Sequence, residues 1–109
     1  MSYDEDWPDN TMENRIAEVR RTIHPVSVDD LKRIADRLFP IATDPWCVRF
    51  NEFLKEHPGA KFYQARTPER AEIIYCAETG NGVWFLPGMG KGILQPKALQ
   101  AMKQIVDSL

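Results

Sequence analysis

Gly88, Gly90 and Gly92 stand at alternate positions, with Lys91 between the last two, just ahead of a segment with helical periodicity. Glycines spaced this way let a backbone approach a ligand closely, and a lysine beside them supplies positive charge. The chemistry this suggests is the binding of an anionic group. Arg66 and Arg70, on either side of the turn at Pro68, would join Lys91 in a small basic patch.

The spacing argues for geometry over chemistry. A phosphate-binding P-loop needs G-x-x-x-x-G-K-[ST]. Here Gly92 follows Lys91 where the magnesium-binding hydroxyl should stand, and Phe85 occupies the place of the first glycine. In the dinucleotide pattern G-x-G-x-x-G, counted from Gly88 and Gly90, the third glycine falls on Ile93. A bulged turn is the favoured reading, and an anion site built from Gly88, Gly90, Lys91, Gly92, Arg66 and Arg70 is the alternative.

Other chemistries find less support. His24, Cys47, His57 and Cys76 are all the histidines and cysteines of the chain, and none falls in a close C-x₂-C pair, so no metal site is expected. His24 and His57 each precede a proline at a helix end, where a cation can meet the last carbonyls. Cys47 and Cys76 are expected to be reduced and packed as small apolar groups. Glu69, Glu72 and Glu78 lie beside turns, where carboxylates are mostly solvated, and no catalytic residue and no cofactor are expected.

The elements that would position these residues are legible from period and punctuation. Residues 1–10, "MSYDEDWPDN", are acidic and are expected to form a mobile tail carrying Trp7. Residues 11–109 are expected to form one domain. Asn10 or Thr11 caps a first helix with an apolar face of Met12, Ile16, Val19 and Ile23, ended by Pro25; Arg15 is expected on an outer face. Ser27 and Asp30 suit a reciprocal cap for a second helix, with Val26 and Leu31 as its staple and Leu31, Ile34, Ala35 and Leu38 as its stripe. Thr43 caps a third, with Trp46, Phe50, Phe53 and Leu54 on one face, stopped at His57–Gly59. Short strands follow in "AKFYQA", "AEIIYCA" and "GVWFLP", with "ETGNG" as a hairpin turn between the last two and "GILQ" as a brief fourth strand. Pro96 opens a last helix with a stripe of Leu99, Met102, Ile105, Val106 and Leu109. The fold class is therefore α+β: three N-terminal helices, a three- or four-stranded antiparallel meander, and a C-terminal helix.

The runs "IIYC" and "VWFL" are apolar at every position instead of at alternate ones. Alternation along each strand puts Ile73, Tyr75, Val83 and Phe85 on one face and Ile74, Cys76, Trp84 and Leu86 on the other. A sheet apolar on both sides must be covered on both, by helices of its own or by a partner. Trp84, Leu86 and Trp7 are the residues expected at such a contact surface. Trp46, Phe50, Leu31, Leu38, Phe85 and Leu99 are expected in the core.

Fourteen basic residues stand against sixteen acidic ones, a net charge of −2 that offers no general attraction for nucleic acid or anionic lipid. No apolar run approaches the ~18 residues of a membrane span, and the acidic start is not the pattern of a secretory or transit signal. The expectation is a small cytoplasmic, non-enzymatic interaction or regulatory protein, an adaptor or accessory subunit. Its partner would be another protein or a second copy of the chain in a homodimer. The alternative is a small enzyme or ligand-binding domain that holds an anion at the Gly88–Gly92 loop.

Overall fold

The computed structural model describes residues 12–38, 45–86 and 90–109, with the backbone alone for residues 12, 35–38, 46 and 47. The acidic tail with Trp7, the caps expected at residues 10, 11 and 43, Gly88, and the side chains of Leu38, Trp46 and Cys47 therefore lie outside the described residues. Four helices and five strands follow in the order α1 (Met12–Thr22), β1 (His24–Val26), α2 (Val28–Leu38), α3 (Pro45–Glu56), β2 (Phe62–Arg66), β3 (Glu72–Cys76), β4 (Asn81–Leu86), β5 (Gly90–Ile93) and α4 (Pro96–Asp107). The strands form one antiparallel sheet in the order β1-β2-β3-β4-β5. The architecture is α+β, but the expected three- or four-stranded meander is a five-stranded sheet.

The additional strand is β1. Three residues containing a proline carry no period, so nothing local marks them as a strand. Pairing with β2 makes them one, through His24↔Gln64, Pro25↔Tyr63 and Val26↔Phe62. Pro25 is tolerated because β1 is an edge, where a missing N–H breaks no ladder on the outer side. Thr22 extends the junction, its hydroxyl accepting a hydrogen bond from the Arg66 N–H at 2.8 Å. The last expected strand also moves, from "GILQ" to Gly90–Ile93.

The start of α2 forms as its residues dictate. The Asp30 N–H donates to Ser27 Oγ at 3.1 Å, and the Ser27 N–H donates back to Asp30 Oδ2 at 3.4 Å. Val26 and Leu31 enter the same apolar cluster, as a staple requires.

The helices divide between the two faces of the sheet. On one face α1 and α4 lay Val19, Ala98, Ala101, Met102 and Ile105 over Tyr63, Ala65, Ile73, Tyr75 and Trp84. On the other, α2 and α3 lay Leu31 and Leu54 over Phe62, Ile74, Cys76 and Phe85, with Val28, Ile34, Phe50 and Phe53 packed around them. Burial pushes the Tyr75 hydroxyl pKa upward, and the Asp107 carboxylate adds to the shift.

The faces are sorted differently from the expectation. Ile73 and Tyr75 share a face with Trp84 and Leu86, while Ile74 and Cys76 share one with Val83 and Phe85. The cause is the turn. Asn81 and Gly82 belong to β4 and not to the connection, which is Ala77–Gly80, so Cys76 pairs with Asn81 and Ile73 with Trp84. Residues directly opposite in an antiparallel pair share a face, so this register decides the partnership.

Two further expectations change. Arg15 is buried at 5 % exposure instead of lying on an outer face. Its Nε donates to Glu69 Oε1 at 2.7 Å, which ties α1 to the β2–β3 turn and gives the buried charge a partner. On α4 the stripe is centred on Ala98, Ala101, Met102 and Ile105, with Leu99 and Val106 at its margins. Leu109 lies past the helix end and is exposed. Of the expected core, Leu31 and Phe85 are buried, and Phe50 and Leu99 are half-buried.

Because the two clusters are separated by the sheet, their contributions to stability should be independent. Ile73→Val is expected to cost about 0.5–1.5 kcal/mol and Leu54→Ala about 2–5 kcal/mol. Denaturant titration of the double variant should give the sum within about 0.5 kcal/mol; a larger departure would mean that the faces share a core.

Candidate functional site

The glycine segment and its proposed basic partners lie at one end of the sheet. The ladder runs Arg66↔Glu72, Glu72↔Phe85 and Phe85↔Lys91, so these four residues form one row on the α2–α3 face. Arg66 and Lys91 are separated by three strand spacings, roughly 14 Å at the backbone. The Glu72 carboxylate stands between them and accepts a hydrogen bond from Gln64 Nε2 at 3.2 Å. Arg70 sits in the β2–β3 turn with φ at 69°, exposed. On α1 the Glu18 carboxyl is held below its ordinary value chiefly by its hydrogen bond from Arg21, with a minor contribution from the charge of Arg66. The row is thus a mixed-charge stripe, and an incoming anion would meet a carboxylate inside it.

The described glycines of the segment have geometric roles. A Cβ on Gly92 would lie 2.9 Å from the indole of Trp84, its partner across the ladder, so the missing side chain is what lets the ring lie against β5. Gly90 has φ at 120°, a conformation that side chains rarely adopt. Trp84, expected at a contact surface, is 8 % exposed beneath α1 and α4, and Leu86 is half-buried against the same cluster.

A different concavity opens on the α2–α3 face. Its floor is two rows read straight from the ladder: Ile74–Val83–Ile93, and Phe62–Cys76–Asn81. Its wall is α3, which contributes Phe50 and Phe53 one turn apart, with Arg49 beside them. The concavity has a volume of about 530 Å³ and is open on one side.

Burial along the floor explains why a cavity exists there. Ile74 is 3 % exposed, Val83 is half-buried, and Ile93 is 61 % exposed. Along these rows the cover is heaviest at Phe62, Ile74 and Cys76 and fades toward Ile93. The lining is almost wholly apolar; its polar members among the described residues are the buried Cys76 thiol and the exposed Arg49 and Asn81. No described group of three or more His, Cys, Asp or Glu side chains converges as a metal site, and no described helix is long and apolar enough to cross a membrane.

None of Arg49, Asn81 or Ile93 was distinguishable by type or spacing in the sequence. The signal that was present is the two-sided apolar sheet, which demands cover on both faces without saying where the cover stops. Comparisons with protein-family models, with curated proteins and with solved structures find no match to this chain.

The glycine geometry yields a direct test. Gly92→Ala is expected to cost about 1–3 kcal/mol by overpacking against Trp84, and Gly90→Ala to destabilise through its backbone angle. Gly59→Ala, where an added Cβ meets nothing within 4 Å, should stay within about 0.5 kcal/mol of the parent. Thermal melts that rank Gly59→Ala as the most damaging would overturn this assignment.

Proposed function

We propose that this chain is a small non-enzymatic regulatory protein that acts by binding, and that its binding element is the cavity beneath α3. The observation that carries the reading is the burial gradient along Ile74, Val83 and Ile93, which leaves an apolar floor partly covered and open toward β5. Apolar surface left in contact with water gives about 25 cal/mol for each Å² that an occupant removes, so a preformed concavity of this composition favours uptake of an apolar group. Polar side chains at its margin, Arg49 and Asn81, would orient what enters. The alternative, an anion held at the Gly88–Gly92 loop, has less support because Glu72 stands in the row between Arg66 and Lys91.

An environment-sensitive apolar dye should brighten on binding the native chain at a stoichiometry near one. Ile93→Glu replaces an exposed side chain, so its melting temperature should stay close to the parent's, while its dye signal should fall several-fold. Unchanged dye binding in a folded Ile93→Glu variant would remove the cavity from consideration.

A further inference from the structure

Resting on the reading of the cavity as the binding element, we infer that its ligand is an aliphatic monocarboxylate, with the chain on the sheet floor and the carboxylate at Arg49. Three features of the site lead to this class.

The first is charge. Among the described residues that line the cavity, Arg49 is the only charged one, and it is a cation. A lone guanidinium at the margin of an apolar space complements a single negative charge. Its planar fork matches a carboxylate with two parallel hydrogen bonds. A phosphate would bring up to two charges and a tightly held water shell to a lining whose described residues offer one cation.

The second is the separation of polar from apolar groups. Arg49 and Asn81 are exposed, whereas Phe62, Ile74 and Cys76 are buried. A ligand matched to this arrangement has one polar end and one long apolar end.

The third is size. A methylene group is close to a water molecule in volume, about 30 Å³. A chain of ten carbons, about 300 Å³ on that scale, therefore fits within the 530 Å³ of the concavity. Side chains of amino acids are shorter, so a protein segment would fill the space with several residues and would not need the single cation.

Isothermal titration calorimetry on the full chain separates these possibilities. The ligands are decanoate, decan-1-ol and decyltrimethylammonium, which share a tail and differ in the charge of the head. Decanoate is expected to bind at least ~10-fold more tightly than the alcohol, with the ammonium weakest, and the gap should narrow at high salt. Arg49→Gln should abolish the preference, bringing the acid to the affinity of the alcohol. Arg49 is exposed, so the variant should fold, and a circular dichroism melt checks this. If the native chain binds acid and alcohol equally, or if Arg49→Gln weakens both alike, the carboxylate assignment fails while the cavity reading stands. If none of the three binds, both fail.

Discussion

A β-sheet that is apolar on both faces has no stable exposure to water, and this constraint organises the molecule. Ile73, Ile74, Tyr75 and Cys76 are consecutive and all buried, so each of the two faces must find cover. Four helices provide it, in pairs: the outermost two in the chain on one side and the inner two on the other. The register Cys76↔Asn81 then decides which aromatic meets which helix, placing Trp84 under α1 and α4 and Phe85 under α2 and α3. Local devices serve this division. The reciprocal cap at Ser27 and Asp30 turns the chain from the edge strand into α2, and the Arg15–Glu69 pair fastens α1 to the far turn of the sheet.

Periodicity was legible wherever an element is long enough to repeat. Four helices form where the apolar periods run, the breaks at Pro25 and His57–Gly59 follow helix ends, and Pro96 stands at the start of α4, where a proline is tolerated. What could not be seen is what depends on partners distant in the chain. β1 is three residues long and becomes a strand only against β2. Arg15 has the composition of an outer-face residue, and its burial is decided by Glu69, 54 positions away. The "NG" pair at Asn81 and Gly82 has the chemistry of a tight turn, yet tertiary pairing draws both residues into β4.

The site was harder to read than the fold for a related reason. Glycines draw attention because they permit unusual backbone, but a close-packed aromatic ring needs them as much as a ligand does. Gly92 serves Trp84 in this way. A cavity, by contrast, is a mismatch in extent between two well-formed layers. Its lining residues, Phe50 and Phe53 on α3 and Val83 on β4, look like any core residues.

The division of helices also sets an order of assembly during synthesis. The cluster under α2 and α3 draws on residues between Val26 and Phe85, all of which are synthesised before α4. The opposite cluster pairs Val19, near the start, with Met102 and Ile105, near the end. Contacts that span most of a chain close late because the loop entropy must be met first. Tyr75 and Trp84 therefore wait for α4, and their face lacks its full cover until that helix docks.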